Sequence, residues 1–192
     1  MTESAMNPRE RRMNPNEPSK ANTSAILKLF VYGTLKRGYW NHDRFCAQAI
    51  SIEPATVWGR LYHLAAGFPA LEVPENTILA QGTNDPLTDA VTQGRIDIQG
   101  FDRPPGDWDL VHGELVTFTD PLRDLPPIDR LEGFRPVEHS MYQRVMVAAR
   151  AKNIITPAWL YRMEYRSQGE KSPMVDGAYL SLLVQTYPDK NN

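Results

Sequence analysis

Apolar residues fall along this chain in short runs, separated by glycine, proline, asparagine and aspartate, and most runs have the length of strands. Leu29-Phe30-Val31-Tyr32 crowns the first, which extends from Ile26 to Tyr32. Thr56 to His63 carries Val57, Trp58, Leu61 and Tyr62 around Gly59, a strand with a bulge or close approach at the glycine. Phe68 to Val73 is short and extended, with Pro69 disfavouring helix before it. Val111 to Phe118 alternates, and Tyr142–Ala149 and Ala158–Tyr165 are two further strands joined through a connection around Asn153 to Pro157. Helical signals are few. Asn41 or Asp43 can cap a helix running through Phe45 to about Ile50. A helix of one or two turns starts near Pro127 and stops at Gly133. Gly177 to Tyr187 fits either period. Five or six strands without regular βαβ alternation exclude a doubly wound sheet and point to an α+β protein, a small mixed β-barrel flanked by short helices.

Two stretches break the pattern. Residues 1–24 are polar and rich in Asn, Pro, Glu and Arg, too poor in apolar surface to offset the entropy of ordering, and read as a flexible tail. The remainder, 25–192, reads as one domain with an insertion at about 74–109, where Pro, Gly, Asp and Asn recur without a period. That insertion fits a lid over a site or a plain surface excursion.

Composition narrows the functional classes. A net charge of −2 gives no bulk electrostatic case for nucleic acid or an anionic membrane. No apolar run approaches the ~20 residues of a membrane span, and the N-terminus lacks the apolar core of a signal peptide. With the lone Cys46 unable to form an internal disulfide, the expectation is a cytoplasmic protein. Cys46 itself reads as a packed thiol rather than a nucleophile. The four histidines show no ligand spacing with Cys46, so no metal site is expected. Gly33 to Gly38 has the spacing of a phosphate loop, but Tyr39-Trp40 stand where Lys and Ser/Thr would be needed.

The chemistry concentrates where the first strand ends. Gly33-Thr34-Leu35-Lys36-Arg37-Gly38 is a glycine-bounded loop that can aim successive N–H groups at one anionic oxygen. Val31-Tyr32-Gly33-Thr34-Leu35, followed by Asn41-His42, resembles the γ-glutamylcyclotransferase-like superfamily, most nearly its γ-glutamylamine cyclotransferase branch. Other segments fall in the family's order: Tyr62-His63-Leu64, Pro69-Ala70-Leu71, Val111-His112-Gly113-Glu114-Leu115-Val116, Asp129-Arg130-Leu131-Glu132-Gly133, and Tyr142-Gln143-Arg144.

The resemblance implies a barrel of the kind the pattern suggests, and a cofactor-free reaction. A γ-glutamyl amine or amide carries its own nucleophile, the α-amine, which closes on the γ-carbonyl to give 5-oxoproline and a free amine. It also assigns roles. Glu132 becomes the acid/base catalyst. Tyr32, Gly33, Thr34, Leu35, Tyr142 and Arg144 become substrate-binding residues. The expected partner is a small γ-glutamyl substrate; oligomeric state is left open. Each residue has a plainer reading. Glu132 can be a surface helix residue, the tyrosines core aromatics, Lys36 and Arg37 a solvated loop face, and Arg144 the partner of a structural acid such as Asp129. The rival function is a non-catalytic binding or interaction protein that reuses the barrel pocket.

Overall fold

One long strand pairs with two partners and thereby closes a barrel. The computed structural model describes residues 25–63, 69–136, 140 and 142–163. In chain order these form β1 (Leu27–Val31), α1 (Trp40–Phe45), β2 (Ser51–His63), β3 (Pro69–Glu72), a 3-10 turn (Glu75–Thr77), β4 (Ala80–Gln81), α2 (Pro86–Arg95), β5 (Asp109–Phe118), α3 (Pro121–Glu132), β6 (Tyr142–Ala151) and β7 (Ile154–Met163). The hydrogen-bonded order is β3-β2-β5-β1-β7-β6-β4. Ala55 and Thr56 of β2 also pair with Ala151 and Arg150 of β6, which closes β2, β5, β1, β7 and β6 into a five-stranded barrel. Only β1 and β7 run parallel; every other pair is antiparallel, so the sheet is mixed. The expected α+β barrel with short flanking helices is the fold observed.

The period-two patterning sorts side chains between two cores. Phe30, Val57, Leu115, Val145, Val147, Ala158 and Leu160 meet inside the barrel. Leu27, Leu29, Val116, Phe118, Met146 and Trp159 point outward and are covered by Leu125 and Ile128 of α3 and Ala90 of α2. At Gly113 a β-carbon would lie 2.4 Å from the Val31 carbonyl oxygen, so this position in the family-like strand has no room for a side chain. Gly59 has the same role against β3, where a β-carbon would sit 2.7 Å from the Glu72 carbonyl oxygen.

Several element bounds differ from the sequence expectation. β2 starts at Ser51, five residues early, and carries Pro54. β7 starts at Ile154, because the connection from β6 is a two-residue turn with Lys152 at φ 54°. α1 stops at Phe45, and Asn41 lies within it, its side chain turned away to Thr34. α3 is twelve residues long. Asp120 caps it at the Arg123 N–H, 3.2 Å away, and Pro126 and Pro127 lie inside it. Buried Leu125 and Ile128 hold that helix to the barrel despite two missing N–H donors.

The stretch 74–109 is built into the barrel wall. β4 pairs with β6. In α2 the Gln93 side chain accepts from the Lys28 N–H at 2.7 Å and donates to the carbonyls of Lys28 and Pro157. It thus stitches β1 to β7 where their direct pairing is sparse. Farther on, Phe101 stacks against Trp58, ring centroids 5.9 Å apart. No helix among the described residues is long and apolar enough to cross a membrane. The expected tail and the Gly177–Tyr187 segment lie outside the described residues.

Candidate active site

The chain leaves β1 through a tight turn. Lys36 N–H donates to the Gly33 carbonyl at 3.1 Å. Three anchors hold the turn against the barrel. The Arg37 N–H and Nε both donate to the buried Glu114 carboxylate at 2.8 Å. Asn41 Nδ2 donates to Thr34 Oγ1 at 2.8 Å. The Leu35 carbonyl bonds to His42 Nδ1, also at 2.8 Å. Arg37 pairs with Glu114 while about half of its side chain stays exposed, and it does not line the cavity described below. Among the described residues no hydrogen bond engages the N–H groups of Gly33, Thr34 or Leu35. Three successive donors on one wall are thus without a partner among the described residues, the arrangement that favours an anionic oxygen.

α3 delivers the second component. Gly133, at φ 66°, ends the helix in the left-handed conformation, and the Phe134 N–H reaches back to the Asp129 carbonyl at 2.9 Å. The Phe134 ring is clamped between Tyr161, centroid to centroid 6.3 Å, and the Arg144 guanidinium, 4.6 Å over its face. Glu132 occupies the last helical position, so this closure fixes where its side chain leaves the backbone.

Both components open onto one cavity of about 470 Å³. Tyr32, Gly33, Thr34 and Leu35 line one part; Leu131, Glu132 and Gly133 line another; Tyr142, Tyr161 and Pro69 contribute as well. The two distant sequence motifs thus meet. Among the described lining residues Glu132 is the sole acid or base of the Asp, Glu, His, Lys or Arg type. No hydrogen bond or ion pair among the described residues stabilises its charge. Burial alone pushes its carboxyl from the ordinary 4.5 up to about 7. Near neutral pH such a group both accepts and returns a proton.

The tyrosines sit in the wall with their hydroxyl protons committed. Tyr32 donates to the Tyr161 carbonyl at 2.8 Å and Tyr142 to the Pro69 carbonyl at 2.9 Å. Burial raises both phenols, and the Glu132 charge adds to the rise. Both rings remain neutral at physiological pH.

Arg144, expected to meet substrate, is not in the cavity wall. Its fully buried guanidinium pairs with Asp89 and Asp129 and donates to the Thr83 carbonyl at 2.7 Å. The plainer reading, a structural partner for Asp129, describes its contacts. Cys46 is also remote from the cavity, and burial pushes its thiol up to about 12, well out of the nucleophilic range.

Sequence reasoning missed Trp40, Asn41 and Tyr161 as lining residues. Asn41 Oδ1 is buried without a partner among the described residues, and Trp40 is 71% exposed at the opening. Trp40 was signalled only by its place beside the glycine loop, Asn41 also by the family-like Asn41-His42 pair, and nothing local marked Tyr161. No described residue of 74–109 lines the cavity.

The family model described as gamma-glutamyl cyclotransferase, AIG2-like, matches residues 29–98 and 91–181. No match exists among curated proteins. Among solved structures, YkqA from Bacillus subtilis is 22% identical over 73% of this chain, with a TM-score of 0.44; the match spans 36% of that protein's length. At5g39720.1 from Arabidopsis thaliana is 14% identical, covering 84% of this chain and 85% of its own, with a TM-score of 0.45. An AIG2-like protein from Mus musculus is 16% identical, covering 77% and 91%, with a TM-score of 0.36. With its matched segments spanning residues 29–181, the chain belongs to the gamma-glutamyl cyclotransferase, AIG2-like family, within the γ-glutamylcyclotransferase-like superfamily.

Proposed function

We propose that this protein is a cofactor-free γ-glutamyl cyclotransferase that converts a γ-glutamyl amine or amide into 5-oxoproline and a free amine. The observation carrying the reading is one carboxyl, Glu132, without a partner among the described residues, sharing a cavity with three N–H groups after Tyr32 that no described residue engages. Its pKa of about 7 is the setting a shuttle between two nitrogens requires.

The reaction follows from these parts. The substrate's α-nitrogen arrives as an ammonium. The Glu132 carboxylate takes one proton and exposes the lone pair. That lone pair attacks the γ-carbonyl carbon, a bond forms and a five-membered ring closes. Holding the two groups together supplies several kcal/mol of the barrier. Negative charge gathers on the γ-oxygen, and the N–H groups of Gly33, Thr34 and Leu35 are the donors available for it or for the α-carboxylate. Collapse of the intermediate breaks the bond to the leaving nitrogen. Across the whole reaction the α-nitrogen sheds two protons and the leaving nitrogen gains two, so total charge is conserved. Glu132 passes the first of them across.

Incubating the purified protein with a panel of γ-glutamyl amides and measuring 5-oxoproline tests the reading. Turnover is expected for at least one member, with kcat in Glu132→Gln reduced by about 10²–10⁴. No product from any member, or an undiminished Glu132→Gln, refutes it. A non-catalytic binding protein would be favoured by an insertion occupying the cavity, and the described part of 74–109 leaves it open.

A further inference from the structure

We infer that Trp40 and Leu131 form a subsite for the leaving amine, and that it selects γ-glutamyl amides whose amine carries a neutral apolar or aromatic body. The inference rests on the cyclotransferase reading and deepens it by naming the substrate class.

The cavity has an inside and a rim. Phe30, Val31, Leu35, Tyr142 and Tyr161 are buried and form its inner wall. Trp40 at 71% exposure and Leu131 at 36% are the large apolar side chains at its opening. Trp40 begins α1, immediately after the glycine loop, and Leu131 precedes Glu132 on α3. The two catalytic components therefore each carry an apolar neighbour at the rim.

The direction of the substrate follows from its charges. Its ammonium must reach Glu132, and its γ-oxygen and carboxylate need the loop N–H groups, so the γ-glutamyl end lies between Glu132 and the glycine loop. The leaving amine then extends toward the rim. A cavity of about 470 Å³ leaves room there well beyond a five-membered ring. The described lining residues offer no carboxylate besides Glu132, so a second cation on the leaving amine would be desolvated without a counter-ion. An apolar body gains instead, because it removes the Trp40 and Leu131 faces from water. So exposed an indole contributes little to folding, which leaves its apolar surface available to a ligand.

The test compares kcat/KM for γ-glutamyl phenethylamide, γ-glutamyl methylamide and γ-glutamyl 2-aminoethylamide, scored by 5-oxoproline release. The phenethylamide is expected to exceed the methylamide about ten- to thirtyfold, with the aminoethylamide no better than the methylamide. In Trp40→Ala the phenethylamide-to-methylamide ratio should fall to within about threefold, and Leu131→Ala should lower it by a smaller factor. Circular dichroism of both variants checks that the barrel is intact. Turnover of all three substrates with a ratio that Trp40→Ala leaves alone overturns the subsite while sparing the cyclotransferase reading. A preference for the aminoethylamide does the same. Absence of 5-oxoproline from every substrate removes both.

Discussion

Two acids three residues apart on α3 meet opposite surroundings. Asp129 faces the wall behind the cavity, where it accepts from the Tyr161 hydroxyl at 2.7 Å and pairs with Arg144. Asp89, from α2, completes that cluster on the other side of the same guanidinium. Glu132 faces the cavity and has no partner among the described residues to favour its charge; burial alone raises its pKa to about 7. Asp129 shares a cation and a hydroxyl, whereas Glu132 has no such partner among the described residues. The contrast separates what holds the helix end from the carboxyl proposed to react beside it. Arg144 ties Asp129 and Phe134 together around the helix end, so its place in the family-like Tyr-x-Arg strand is explained by positioning rather than by contact with substrate.

Breaking the paired side should have the largest effect. Arg144→Met leaves Asp89 and Asp129 buried without their cation, and a loss of about 3–5 kcal/mol in unfolding free energy is expected, measured by urea denaturation. A loss below about 1 kcal/mol would mean that the cluster does not hold α3 in place.

The unpaired side has the opposite signature. The folded protein holds the Glu132 proton more tightly than an unfolded chain with its ordinary pKa of 4.5. Any stability this group confers is complete below pH 4.5 and fades as pH climbs through about 7. Glu132→Gln removes that decline. The variant should therefore gain on the wild type between pH 5 and pH 8, by at most roughly 3 kcal/mol, and by less to the extent that solvent still reaches the carboxyl. Urea midpoints at the two pH values read the gain. In the wild type, kcat/KM should rise with pH through about 7 as the base form appears. A flat stability difference together with an acid-shifted rate profile would place Glu132 in open water.

The barrel strands were legible because their apolar positions alternate, and Gly59 marked a close approach; the one at Gly113 emerged only from the structure. The pairing of the two motifs was legible only through the family pattern, since nothing local in Tyr32-Gly33-Thr34 points to Glu132-Gly133. α2 escaped notice for a physical reason. The side chains it turns toward the barrel include Asp89 and Gln93, which are buried, while Leu87 and Val91 are exposed. Its inward stripe is partly polar, so apolar periodicity is absent; the Asp85-Pro86 start signal was the available clue. The length of α3 was hidden by Pro126-Pro127, which local preference reads as a start. Arg144 could not be placed from sequence, because an arginine on a strand serves a buried acid or a substrate carboxylate equally well.

The smallest effect tests the turn that follows Glu132. Gly133 adopts φ 66°, where an L side chain strains the backbone, and a β-carbon there would have nothing within 4 Å. Gly133→Ala thus adds strain without a clash, and a loss of about 1 kcal/mol is expected. Asparagine tolerates the left-handed region better, so Gly133→Asn should lose less. If the turn merely ends the helix, both variants should change stability alone. If it aims Glu132, kcat should fall with the strain, more in Gly133→Ala than in Gly133→Asn, while the thermal midpoints follow the same order. Equal kcat in the two variants, despite different midpoints, would assign the aim of Glu132 to the Asp129–Arg144 pair one turn earlier and not to the glycine.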